Sequence, residues 1–167
     1  MIIRISGKLG KKIHVSPGKV LPGDSNRFAD WSAHLFTARR VQHIIVTNTF
    51  SLYSIVMRGA GITDLGTFLH RTSDFMREFL QENGFPAVFE SLIAPAMRSV
   101  AVSGALNRSV TGSMNDLVYQ AQVQMEELDL PPWDASCQLN RAPMSYLKYS
   151  NPRDAFVRMI KEHAESN

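Results

Sequence analysis

The densest polar chemistry in the chain lies in NRSVTGSMNDL, residues 107–117, where one arginine, three hydroxyls, one glycine, two asparagines and one aspartate lead into an apolar run. Two kinds of chemistry suit such a stretch. A helix N-terminus presents unpaired N–H groups and partial positive charge, so a phosphate or carboxylate could be held there by Arg108, Ser109, Ser113 and Asn115. The same residues can also serve as a helix start alone. With Ser113 as the cap, Asp116 falls three residues later, a capping-box spacing with Asp in place of Glu or Gln. Gly112 is then free to take a positive φ in the lead-in. A start at Ser109 would instead put Gly112 in the first turn, at about 1 kcal/mol against Ala. The adopted reading starts the helix at Ser113 and keeps Arg108, Ser109, Ser113, Asn115 and Asp116 as a candidate ligand-binding set. Asp116 opposes an anion and no lysine stands at Walker spacing, so a simple phosphate loop is excluded. Asn48 and Ser51, in TNTFSLYS (47–54), join the candidate surface as polar residues at a turn, where Asn and Ser are also common for backbone reasons.

A second candidate set is basic. Residues 1–58 carry nine Lys and Arg against two acids, residues 59–130 four against nine, and residues 131–167 five against four. Arg4, Lys8, Lys11, Lys12, Arg39 and Arg40 could form a rim for nucleic acid, bound in a salt-dependent way. A sheet edge guarded by charges has the same composition. No helix-turn-helix, zinc-finger or RNA-recognition aromatic pattern accompanies them. His34 and His43 flank residues 38–41 symmetrically, so in an antiparallel hairpin they are expected to face each other on one side. His14, His70 and His163 are isolated and nominate no third ligand, so no metal is assigned. Cys137 has no histidine nearby in sequence and no GxSxG occurs, so no catalytic residue and no cofactor are assigned.

The elements that must position these residues are legible from periodicity. IIRIS (2–6) reads as a strand, and Leu9 and Ile13 suggest one helical turn after it. Residues 16–29, with SPG and LPGDSN, read as a loop. WSAHLFT (31–37), QHIIVTN (42–48) and SLYSIVM (51–57) are strand-like, and their short connections imply an antiparallel meander. From Thr63, a plausible cap, the positions Leu65, Phe68, Leu69, Phe75, Met76, Phe79 and Leu80 have helical spacing up to Asn83-Gly84. A shorter helix is expected at 85–95 and a strand at 98–104; Val110, Met114, Leu117, Val118, Ala121, Met125 and Leu128 then have helical spacing that stops before Pro131-Pro132. A last helix is expected over 153–163, with Pro152 at its first position and Asn151 as its cap. Trp31 and Trp133 are assigned to packing, in the core or against a second copy.

The fold class expected is α+β: an antiparallel sheet, made of the N-terminal strand, the three-strand meander and a later strand. Two main helices cover one face of it, and a helical tail follows. The 167 residues are expected to form one domain, with an α+β core over 1–130 and a helical extension over 131–167. Net charge is +3 and apolar content 44%. With Cys137 as the only cysteine, an intramolecular disulfide and a four-cysteine zinc site are excluded. No apolar run approaches the roughly 20 residues that span a bilayer, and MIIRISGKLGKK lacks the apolar run of a signal peptide, so the expected location is cytoplasmic. No GxGxxG or P-loop occurs.

MIIRISGKLGKKIHV, WSAHLFTARRVQHIIVTNTFSLYSIV and NRSVTGSMNDL, in this order and spacing, resemble an uncharacterised bacterial family defined only as a domain of unknown function. The resemblance covers roughly residues 1–128. Relatives in that family are sometimes fused to the ORF-three-like domain of a root-inducing plasmid, which implies a mobile-element context and no reaction. The family pattern is closer to Asn than His at position 34, which weakens a two-histidine metal site. LNRAPMSYLKYSNPRDAF resembles a tail phrase of transposases and integrases, but their catalytic carboxylates have no recognisable setting here and the activity does not transfer.

The expectation is therefore a non-enzymatic binding or regulatory module of unknown ligand, with a mobile-element association and with nucleic acid or another anionic ligand as candidate partners. Self-association through Met-rich helices is open. The alternatives are a nucleic-acid-binding protein using the basic N-terminal third, and a small toxin-like hydrolase or nuclease.

Overall fold

The computed structural model describes residues 1–166. IIRI forms β1 (Ile2–Ile5), and Ser6 then caps a short helix, α1 (Gly7–Lys12). The meander follows as β2 (Asp30–Ala38), β3 (Val41–Asn48) and β4 (Ser54–Arg58), and a last strand is β5 (Ala101–Ser103). The sheet order is β4-β3-β2-β1-β5. β2, β3 and β4 are antiparallel neighbours, as their short connections require. The expected all-antiparallel sheet is corrected at β1, which runs parallel to both β2 and β5. Residues 6–29 separate β1 from β2. A connection of that length permits a crossover, so the short-loop argument never governed this pairing.

Two turns set the register of the meander. Arg39 and Arg40 both have positive φ, 50° and 62°, and make a two-residue turn of the kind that matches strand twist. Asn and Gly usually occupy such positions, which hid the turn. The tighter connection pairs His34 with Ile45 and His43 with Phe36. The two histidines share a face but are not opposite one another, as the symmetric reading expected. Before β4, the Asn48 side-chain oxygen accepts hydrogen bonds from Phe50 N, Ser51 N and Ser51 Oγ at 3.2, 2.9 and 2.9 Å. With Leu52 at φ 59°, this turn delays the strand to Ser54.

The helices are α2 (Leu65–Glu82), α3 (Pro86–Val88) running into a π turn (Phe89–Ile93), α4 (Arg108–Glu126), α5 (Pro132–Leu139) and α6 (Pro152–Glu165). Asp64, not Thr63, caps α2, its Oδ1 accepting from Thr67 N at 2.8 Å. The start of α4 is also corrected. Asn107 is the cap, with its Oδ1 accepting from Val110 N at 2.9 Å. Ser113 is buried inside the helix, its Oγ donating to the Ser109 carbonyl at 3.1 Å. The earlier start places Val110, Met114, Leu117, Ala121 and Met125 in the core on one helical face. That burial outweighs the helical cost of Gly112, about 1 kcal/mol. A Cβ at Gly112 would meet nothing within 4 Å. Gly112→Ala is therefore expected to stabilise the protein by about 1 kcal/mol in urea unfolding; a helix beginning at Ser113 would yield no gain.

Helices cover both faces of the sheet rather than one. Trp31, Ala33, Ile44, Val46, Ile55 and Met57 belong to one core with residues of α2 and α6. Phe36, Ala38, Ile45 and Val56 belong to the other, with residues of α4 and α5. The continuous apolar runs Ile44-Ile45-Val46 and Ile55-Val56-Met57 are the signature of strands buried on both sides. Trp133 packs within the first core's rim, its ring 5.5 Å from Phe75 and 4.9 Å from Phe79. β4 is one of the two edge strands, and α5 closes that edge. Asn140, buried at the end of α5, accepts from Ser54 N at 2.8 Å and donates to Ser54 O at 2.7 Å. Ser136 Oγ accepts from Val56 N at 2.7 Å. Side chains thus supply the ladder that a sixth strand would have made. Among the described residues no helix is long and apolar enough to cross a membrane.

Candidate functional site

The basic candidates separate by environment. Arg4 is buried, its Nε and Nη2 each 2.8 Å from the two carboxylate oxygens of Asp30. Its remaining donors reach the carbonyls of Leu21, Pro22 and Gly104 at 2.9, 3.0 and 3.4 Å, and Ser103 Oγ at 3.4 Å. Arg4 therefore ties the 16–29 loop and β5 to β1 and presents no free donor to a partner. Lys12 Nζ donates to Gln42 Oε1 at 2.8 Å. Arg39 pairs with Asp129 and donates to the Glu126 carbonyl, docking the hairpin tip on the end of α4. Lys8, Lys11 and Arg40 are exposed.

The ligand candidates also divide. Asn48 Nδ2 donates to the carbonyls of Arg27 and Asp30 at 2.9 and 3.3 Å, so its amide is committed to the turn that Ser51 shares. Ser51 lines a small cleft with Phe50, Arg158 and Glu162. Arg108, Ser109, Asn115 and Asp116 are exposed on α4, and among the described residues no side-chain hydrogen bond or ion pair joins them. Of this set only Asn115 lines the groove described next. The two stretches do not form one polar face.

That groove lies between α1 and α4. Alternation along β2 puts Ser32, His34 and Phe36 on the same side of the sheet, while Trp31, Ala33 and Leu35 point to the first core. Register extends the polar positions into a row, Ser103–Arg4–Ser32–Thr47–Ser54, across all five strands. Two adjoining hollows share Ser6, Gly7 and His34. The inner one, about 360 Å³, is lined by Arg4, Ser32, Gly104 and Thr111. The outer one, about 960 Å³, has Lys8 and Lys11 on the α1 wall, Asn115 and Gln122 on the α4 wall, and Phe36 and Gln42 at its far end. Lys8 and Lys11 share a wall because they are three apart on a helical turn.

His34 lines both hollows. Burial holds its imidazole below the ordinary histidine range, so it is neutral at neutral pH. Among the described residues its ring makes no hydrogen bond, and both nitrogens are left for a ligand. A neutral imidazole offers one donor and one acceptor beside two ammonium groups and the side-chain amides of Asn115 and Gln42. Such a set can bind an anion and orient it through directional hydrogen bonds. His43, two positions along β3 from the register partner of His34, lies on the same face with its ring stacked on Phe36, centroids 5.6 Å apart. Among the described residues no three His, Cys, Asp or Glu side chains come together as a metal site.

Gln42, Gln122, Ser6 and Ser32 line the groove without having been singled out from sequence. For Ser32 and His34 the signal was present: they are alternate polar positions on a strand whose other face carries Trp31, Ala33 and Leu35. For Gln42 and Gln122 no signal existed, because tertiary packing alone brings β3 and α4 to one trough. A family model described as Domain of unknown function (DUF6933) matches residues 2–155. No curated protein and no solved structure matches the chain.

Proposed function

The chain belongs to the DUF6933 family, and for this member we propose a binding role: a non-enzymatic module that holds an elongated anionic ligand in the groove between α1 and α4. The observation that carries this reading is the pairing of Lys8 and Lys11 on one wall with a neutral, unpartnered His34 in the floor. Thr111 and Gln122 line opposite ends, and at about 1.5 Å per residue they stand roughly 16 Å apart along α4. An elongated ligand suits that length better than a single phosphate. Exposed lysines supply attraction that salt screens, and the amides and imidazole supply orientation.

Inorganic tripolyphosphate and a short single-stranded DNA oligonucleotide, titrated calorimetrically at low and high salt, test the reading. Binding is expected at low salt, and the double change Lys8→Gln and Lys11→Gln should weaken it at least about tenfold, the loss of roughly one ion-pair-strength contact. The thermal midpoint should not move, since both side chains are exposed. Equal affinity in the variant, or no binding of either probe at low salt, rejects the proposal. The oligonucleotide arm also addresses nucleic-acid recognition, for which Lys8, Lys11 and Arg40 are exposed, while the exposed Arg39 is already paired with Asp129. A plasmid or mobile-element role is compatible with that arm alone.

A further inference from the structure

A second pocket, about 230 Å³, shares no lining residue with the groove and lies at the start of β3, between the β2–β3 hairpin, the end of β4 and the α4–α5 connection. Its walls are apolar, from Val41, Met125, Leu130, Pro131 and Pro132. Four polar side chains, Arg39, His43, Arg58 and Asp129, line the same space. Arg58 is exposed at the end of β4 in register with His43, and among the described residues its guanidinium makes no hydrogen bond or ion pair. Asp129, the carboxylate lining the pocket, is already paired with Arg39. The ionised lining groups are thus two arginines and one aspartate, and the uncompensated charge is that of Arg58.

His43 has a defined role in this arrangement. Its Nδ1 lies 3.0 Å from the Val41 carbonyl, which can only accept, so Nδ1 carries the hydrogen. Burial chiefly, together with the nearby Arg58 charge, holds the ring below the ordinary histidine range despite that bond. The Nε2 lone pair is then an acceptor on a residue paired in register with Arg58, and both residues line the pocket. A donor fork for a carboxylate, an adjacent acceptor for an N–H or O–H, and proline and leucine walls define one ligand chemistry. The volume is below the ~300–1,000 Å³ typical of drug-sized ligands.

We infer that this pocket binds a small apolar carboxylate carrying a neighbouring hydrogen-bond donor: the carboxylate on Arg58, the donor on His43 Nε2, the apolar body against Leu130, Pro131 and Pro132. An N-acylated apolar amino acid and the C-terminal residue of a peptide share this chemistry. The site is separate from the α1–α4 groove and does not depend on it.

The test uses the full chain, ¹⁵N-labelled, titrated with N-acetyl-leucine, N-acetyl-leucine amide and a leucine-terminated tripeptide. N-acetyl-leucine is expected to shift the amide signals of Val41, His43, Arg58 and Leu130 in a saturable way. The amide, which lacks the carboxylate, should bind at least about tenfold more weakly, and so should N-acetyl-leucine to Arg58→Gln. The Lys8→Gln, Lys11→Gln variant should bind like the parent, so failure of the groove and failure of this pocket are distinguishable. Tighter binding of the tripeptide assigns the site to a peptide C-terminus, and tighter binding of N-acetyl-leucine to a small molecule. Absence of shifts at millimolar ligand, equal binding of the amide, or an unchanged affinity in Arg58→Gln overturns the inference.

Discussion

Asp30→Ala should remove about 3–5 kcal/mol of stability, the cost of leaving one partner of a buried ion pair uncompensated. Both side chains of the Arg4–Asp30 pair are wholly inaccessible, so water cannot take over from the missing carboxylate. Asp30 Oδ2 also accepts from Asp24 N at 3.0 Å, and that donor is stranded too. Native domains are stable by only about 5–15 kcal/mol, so the change would remove a large part of the total. The measurement is the urea midpoint at unchanged slope. The double variant Arg4→Met with Asp30→Ala should lose clearly less than the sum of the two single changes, because it removes the charge together with its partner. A single Asp30→Ala loss below about 1 kcal/mol would mean that the pair is hydrated in solution, as surface pairs are.

Asn140→Ala is expected to cost about 2–4 kcal/mol, since it strips hydrogen bonds from two buried backbone groups of Ser54 at once, each worth about 1–3 kcal/mol when left unsatisfied. The loss has a local signature. Hydrogen exchange at Ser54 should accelerate more than exchange at Val46 in the middle of the sheet, because the β4 edge opens before the core does. Val56 should follow only in part, since Ser136 still accepts from it. An exposed edge of this kind also templates pairing with another chain, so the variant should aggregate at lower concentration than Gly112→Ala or the parent. If Asn140→Ala unfolds at the parent's midpoint with no change in Ser54 exchange, α5 does not close the edge.

The candidate site was half legible before the fold. Lys8, Lys11 and Asn115 were singled out by residue type, and all three line one groove. The grouping was not legible, because Lys8 and Asn115 come together only through packing across β1 and β2. Arg4 shows the limit of composition. Its charge in a basic third suggested a surface, yet a parallel neighbour, β2, places Asp30 beside it, and the pair is buried. NRSVTGSMNDL illustrates the same limit on a shorter scale. Its polarity is partly a cap, at Asn107 rather than Ser113, because the apolar periodicity beginning at Val110 decides where the helix starts. A local capping pattern is worth about 1 kcal/mol, whereas burying Val110 and Met114 is worth roughly 1.5–3 kcal/mol for each side chain.

By itself the chain determined what short-range physics controls. That covers the α+β class, the antiparallel meander from its short loops, the α2 helix from periodicity, and the α6 helix from its Asn151 cap and Pro152. Tertiary structure alone decided the parallel placement of β1, the hairpin register through two arginines at positive φ, and the closing of β4 by Asn140. It alone also assembled the groove and the Arg58 pocket. Each of these depends on contacts between residues far apart in the chain, and their free energy exists only once the sheet and helices have packed.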